Sequence, residues 1–212
     1  MAQHVLEREK PSAQGPPQGP TGPGRNGFGP DRYPPRPAPA PATAGIWLLL
    51  AAAGMLFLGF TSSYLSRQAG ADWVAIPMPR VLWATTALLA VSSALLEWGR
   101  RSSGRRAPNR LAAGVSWAAW LGALFVLGQL AAWRELAAAG VFLASNPHAS
   151  FFYVLTLVHG LHVLAGLIWL FIAAARVRAG GPRAASTVRP AAIYWHFVGL
   201  LWVYLWVLLF WI

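Results

Sequence analysis

A stretch without one Lys, Arg, Asp or Glu runs from Ala149 to Ala175 and carries His159-Gly160-Leu161-His162 at its middle. About 20 apolar residues suffice to cross the hydrocarbon of a bilayer as a helix, so this stretch is predicted to span a membrane. With no water to bond, a backbone in hydrocarbon must satisfy its own N–H and C=O groups, which restricts spanning segments to helices and closed barrels. Imidazoles at that depth are costly and by default mark function or internal partners.

Four more apolar spans accompany it: 44–65, 78–98, 111–133 and 191–212. The second is the shortest, and its apolar centre from Val81 to Leu96 covers only about 24 Å. Trp83, Trp98 and Pro77-Met78 are needed to complete that crossing. Trp47, Trp117, Trp133, Trp195 and Trp211 also fall near span ends, as an aromatic belt requires. The fold predicted is all-α, a polytopic membrane bundle of five transmembrane helices. Residues are 56% hydrophobic and 11% charged, against about 25% charged in a soluble domain. Cysteine is absent, which excludes disulfides and thiolate metal sites.

The net charge of +11 raises the question of nucleic acid, but the basic residues avoid the apolar runs. Fourteen of the 17 lie in alternate gaps: Arg8, Lys10, Arg25, Arg32 and Arg36, then Arg100, Arg101, Arg105, Arg106 and Arg110, then Arg176, Arg178, Arg183 and Arg189. Only Arg67, Arg80 and Arg134 fall in the other gaps. This is a topology signal and not a nucleic-acid footprint; it predicts a cytoplasmic N-terminus and, after five crossings, a C-terminus outside. Residues 1–43 hold 11 of the 17 prolines. With no strict glycine period, they are expected to form a disordered Pro/Gly-rich cytoplasmic tail ahead of a transmembrane domain over 44–212. No apolar core follows Glu7-Arg8-Glu9-Lys10, so a cleavable signal peptide is not expected. Gly114, Ala118 and Gly122, at four-residue spacing, predict a face for close helix approach on the third span.

No Lys, Arg, Asp or Glu lies near the centre of any span. Glu97, with Arg100 and Arg101 three and four residues on, reads as a surface ion pair. The absence of a mid-depth carboxylate or arginine argues against an ion pump, while a transporter of neutral solutes stays open. His159 and His162 share a helix face, with Thr156 one turn before. His162 and His196, on antiparallel spans, are expected at matching depth. Three roles are open for these imidazoles: bonding Thr156, one another or carbonyls to fix helix packing; handling lipid or protons; or ligating a haem. Only one haem is conceivable, a single-haem cytochrome held by His162 and His196. His4 and His148 read as solvated or interfacial.

The segment from Phe152 through Thr156, His159-Gly160-Leu161-His162-Val163 to Gly166 resembles a motif of subunit III of the haem-copper oxidases, in the five-helix form of bacteria. Tyr194-Trp195-His196-Phe197-Val198 with Trp202 is similar to that family's final-helix motif. Weaker echoes are Thr85-Thr86 with Ser92-Ser93, and Gln129 with Trp133-Arg134-Glu135, while Arg176 falls where the family often closes this helix. The resemblance covers about 47–212. It departs where Ala53-Gly54 replaces a buried glutamate and Gly199 an aspartate.

The resemblance implies an accessory subunit that is not itself catalytic and binds no cofactor. The haem and copper belong to partner subunits I and II of a terminal oxidase in the bacterial inner (plasma) membrane. It further implies stabilisation of turnover, phospholipid held between helices, and aid to proton supply, with cytochrome c or quinol as the complex's donor, or a place in a nitric oxide reductase. Thr156, His159, His162, Arg176, Trp195 and His196 are the residues it marks for lipid binding or helix packing, with no catalytic or metal-binding residue. An unpaired buried imidazole costs about 1–3 kcal/mol, so His196 or Thr61 is expected to replace the missing glutamate beside His162.

Overall fold

The computed structural model describes residues 41–102, 108–180 and 184–212. They form five helices: α1 (Pro41–Gln68), α2 (Val81–Ser102), α3 (Pro108–Ala138), α4 (Pro147–Arg178) and α5 (Ala184–Trp211). Each is long and apolar enough to cross a membrane. Most of the expected tail lies outside the described residues, although α1 starts at Pro41, slightly before the expected boundary.

The helices mostly overrun the apolar spans, because a helix satisfies its own backbone as well in the headgroup region as in hydrocarbon. What stops them is local chemistry. After α3, Gly140 takes φ +77°; its N–H reaches Ala137 O and Val141 N–H reaches Leu136 O. That pair of bonds is a Schellman stop, which needs the left-handed conformation glycine adopts freely. α4 starts where the Asn146 side chain accepts the Ala149 N–H at 2.9 Å, with Pro147 in the first turn. α2 begins three residues later than expected, since Pro77 and Pro79 keep the preceding backbone extended. Pro190 lies inside α5, so that helix begins well before the apolar span does.

α2, α3, α4 and α5 pack in a closed ring of neighbours, and α1 lies against α4 and α5. Buried positions recur at alternating intervals of three and four. On α1 they include Ile46, Leu50, Ala53, Phe57 and Tyr64; on α2 they are Leu82, Thr85, Leu89, Ser92, Leu96 and Gly99. This is the seam of left-handed helix packing. The opposite faces are just as greasy: Leu48, Met55, Leu58, Trp120 and Leu200 all lie exposed. Two seams close on glycine. A Cβ on Gly114 would sit 2.6 Å from Gly99 Cα, so α2 and α3 touch backbone to backbone there. A Cβ on Gly122 would sit 2.5 Å from the Trp195 ring, so α5's indole occupies the space beside α3. The small-residue face expected on α3 is thus used by two different partners.

Candidate functional site

Three indoles inside the bundle donate to three hydroxyls on neighbouring helices, and each hydroxyl donates onward to a backbone carbonyl. Trp195 Nε1 lies 3.0 Å from Ser92 Oγ, which donates to Ala118 O at 2.9 Å, joining α5, α2 and α3. Trp202 Nε1 reaches Thr86 Oγ1 at 2.9 Å, and that hydroxyl bonds Leu82 O at 2.8 Å. Trp133 Nε1 reaches Thr156 Oγ1 at 3.1 Å, and Thr156 bonds Phe152 O at 2.6 Å, joining α3 to α4. A hydroxyl accepts and donates at once, so each relay satisfies a buried indole without a charge.

Thr156 is therefore engaged with Trp133 and its own helix, not with an imidazole as the sequence had suggested. His159 is 1% exposed, and neither ring nitrogen has a hydrogen-bond partner. Its ring stacks on Trp202 at 5.3 Å between centroids, with Phe57 and Phe125 edge-on at 6.4 and 6.2 Å. The expected partner for this residue is thus absent among the described residues, and its surroundings are aromatic.

His162 is only partly buried. Its Nδ1 lies 2.8 Å from Val158 O. A carbonyl only accepts, so Nδ1 carries a proton and donates it. Tyr194 OH donates to the His162 carbonyl at 3.1 Å. Leu49, Leu161, His162, Ala165, Trp169 and Tyr194 line a shallow cleft of about 320 Å³.

Neither replacement expected for the family's glutamate is realised. Thr61 Oγ1 donates to Phe57 O at 2.8 Å and lies 2.7 Å from Tyr204 OH. His196 faces α2, its Nε2 3.8 Å from Glu97 Oε2. The reason is rotation: Tyr194 reaches toward His162, and two residues further on a helix have turned about 200°. His162 and His196 therefore point away from each other, which corrects the expectation of a pair able to clamp one haem. Among the described residues no three of His, Cys, Asp or Glu are grouped to hold a metal ion.

Glu97 pairs with Arg100 and Arg101, both at 2.7 Å, as its spacing suggested. Arg176 is exposed; the α4 arginine that reaches the bundle is Arg178, which donates to Ser116 Oγ at 2.8 Å.

His148, expected to be solvated or interfacial, is buried. It accepts the Ile76 N–H at Nδ1 (3.2 Å) and donates from Nε2 to Leu209 O (3.0 Å). Its ring stacks on Trp73 at 4.9 Å, 12° from parallel. One imidazole thus clasps the α1–α2 connection, the start of α4 and the end of α5. The nearby Trp73 and the Pro147-His148 step were the available signals.

The sequence profile of the family described as "Cytochrome c oxidase subunit III" matches residues 43–212. A Mycobacterium tuberculosis protein named "Probable cytochrome c oxidase subunit 3" is 31% identical, over 82% of this chain and 89% of that one. The "Cytochrome c oxidase subunit 3" of Synechocystis is also 31% identical, over 78% and 73%. The "Cytochrome bo(3) ubiquinol oxidase subunit 3" of Pseudomonas aeruginosa is 28% identical, over 75% and 79%. With two separate motifs on α4 and α5 and five spanning helices in place, the chain belongs to the cytochrome c oxidase subunit III family, whose members are accessory subunits of haem-copper oxidases.

Proposed function

We propose that this chain is the cofactor-free brace of a terminal oxidase, lying in the bacterial plasma membrane against the subunits I and II that hold haem and copper. One observation carries this reading: three indole–hydroxyl bonds within the bundle pin helices to each other. Trp195–Ser92, Trp202–Thr86 and Trp133–Thr156 are interhelical bonds, and among the described residues no three of His, Cys, Asp or Glu are grouped to hold a metal ion. Thr156, His159, Trp195 and His196 act in packing, while His162 and Arg176 lie at the surface facing lipid or partners. The arginine-rich gaps of the sequence suit a cytoplasmic face meeting anionic headgroups, and acyl chains cover the exposed leucines. The family's proton-supply role is not carried over, since Gly54 and Gly199 stand where its carboxylates would be.

The donor we assign is cytochrome c, following the family profile and the 31% relatives. Gentle purification through a tag on this chain tests the whole reading. The expected preparation contains haem-bearing polypeptides and oxidises cytochrome c. A colourless preparation of this chain alone would overturn the reading, and oxidation of quinol without cytochrome c would overturn the donor.

A further inference from the structure

Pro77 and Pro79 have no N–H to give, and the N–H that holds the stretch between Trp73 and Arg80 to the bundle is that of Ile76, which His148 Nδ1 accepts at 3.2 Å. That bond dictates the state of the ring. An imidazole nitrogen that accepts carries no proton, and the other, Nε2, gives its proton to Leu209 O at 3.0 Å. The ring is therefore neutral, with both nitrogens committed. A second proton can land only on Nδ1, where it meets the Ile76 N–H donor to donor. Nε2 donates to Leu209 O in either state, so the whole loss falls on the α1–α2 connection.

The surroundings let that proton arrive and stay. His148 lines a cleft of about 430 Å³ with Tyr64, Gln68, Ile76 and Ile212, at the end of the bundle where α1 and α5 finish and α4 starts. Its ring stacks on Trp73, and an indole face attracts a cation, so an imidazolium remains on the stack. The other groups able to change charge are few. From α1, Tyr64 faces the ring edge-on at 6.0 Å. From the connection comes Asp72, which is paired with Arg67. From α5 comes the chain end at Ile212, whose oxygen accepts Gln68 Nε2 at 2.7 Å. No acidic side chain lines the cleft, and the imidazole is the side chain there whose charge acid changes.

We propose that His148 is an acid-released latch: a proton taken up at Nδ1 lets go of Ile76 and frees residues 74–79, while Trp73 and Leu209 stay in contact with the ring. The contact is held at high pH and lost as pH falls. The arginine bias of the sequence assigns this end of the bundle to the outer face, which makes acid in that compartment the signal. The latch itself depends neither on that orientation nor on membership of an oxidase complex.

The chain has no cysteine, so Val74→Cys, at an exposed position beside the latch, carries a single nitroxide on the full chain in lipid nanodiscs. Its spectrum is followed from about pH 8 to about pH 4.5, across the ordinary imidazole range. The mobile component should be small at the alkaline end and grow about 2- to 12-fold toward acid, reversibly, the change in population that one hydrogen bond supports. His148→Gln supplies an amide that accepts and donates but takes up no proton here, so its label should stay immobile throughout. His148→Phe keeps a ring against Trp73 without an acceptor, and its label should be mobile throughout. Asp72→Asn should titrate as the otherwise unaltered chain does. A label that ignores pH in the chain with His148 intact would overturn the latch. So would a pH response that survives in both His148 variants or disappears in Asp72→Asn.

Discussion

Ser92→Ala removes the hydroxyl that links α5, α2 and α3. Trp195 is fully buried, its Nε1 lies 3.0 Å from Ser92 Oγ, and Ser92 is itself fully buried. Two bonds disappear. The Ser92 bond to Ala118 O is a small loss, because both of its ends vanish or revert to the α3 ladder. The indole N–H is the larger one, since a buried donor without an acceptor costs about 1–3 kcal/mol. Interhelical bonds in membranes average about 0.6 kcal/mol and reach about 1.7. The expected destabilisation is therefore about 1–2.5 kcal/mol. Ser93→Ala is the control: that side chain lines the α2–α5 cleft and should change stability by less than about 0.5 kcal/mol. Reversible unfolding in mixed micelles, followed by tryptophan fluorescence, gives both values. A cycle with Trp195→Phe isolates the coupling, expected at about 0.6–1.7 kcal/mol. Zero coupling, or a Ser93→Ala effect as large as that of Ser92→Ala, would refute the relay.

Gly114→Ala should destabilise the bundle by about 1–3 kcal/mol through overpacking, because its Cβ meets the α2 backbone. Gly160→Ala, with nothing within 4 Å, should be neutral or gain up to about 1 kcal/mol in helix propensity; the same micelle unfolding ranks the two. His148→Ala should cost about 2–4 kcal/mol, from an orphaned Ile76 N–H and a lost stack on Trp73. Hydrogen exchange should then find the α1–α2 connection and the end of α5 opening together, and unchanged protection there would count against the clasp.

The number and position of the helices were legible because hydrocarbon thickness imposes a length that hydropathy reads directly. Which face of each helix turns inward was not. Lipid is as apolar as a protein core, so Leu48 and Leu50 look alike in sequence while one is exposed and the other buried. The inward faces are marked only by small and hydroxyl residues: Gly99, Gly114, Thr85, Ser92 and Thr156. The same blindness explains the errors at the site. Each residue turns a helix by about 100°, so His196, matched in depth to His162, could meet it or turn away. Apolar neighbours on every side do not fix that rotation. Tyr194 on the carbonyl of His162 does, and it sends His196 to Glu97. His148 was missed for a different reason: beside a proline and just outside the apolar span, it resembled a headgroup residue until the loop carrying Trp73 and Ile76 folded over it.

His159 departs from the relay scheme, as do Gln129 Oε1 and Trp206 Nε1, which are likewise buried without a hydrogen-bond partner. Tyr204, Thr61 and Phe57 O repeat the relay with a phenol in place of an indole: Thr61 donates to the carbonyl, so the Tyr204 hydroxyl donates to Thr61 at 2.7 Å. Trp202, the ring on which His159 stacks, gives its N–H to Thr86 and has nothing left to offer. Phe57 and Phe125 supply only ring edges. The imidazole thus contributes shape and aromatic contact while its two nitrogens lie desolvated and idle. Replacing a polar group that has no partner by an apolar ring of similar shape removes a penalty of about 1–3 kcal/mol and breaks no bond. His159→Phe should therefore leave the chain as stable as the wild type or stabilise it by up to that amount, less whatever strain the larger ring introduces. His159→Ala, which empties the space against Trp202, should cost about 2–4 kcal/mol as a cavity. Both are read by micelle unfolding of the same tagged protein. A loss on His159→Phe comparable to that on His159→Ala would show that a nitrogen of this residue is bonded in the membrane, and the picture of an idle imidazole would have to be abandoned.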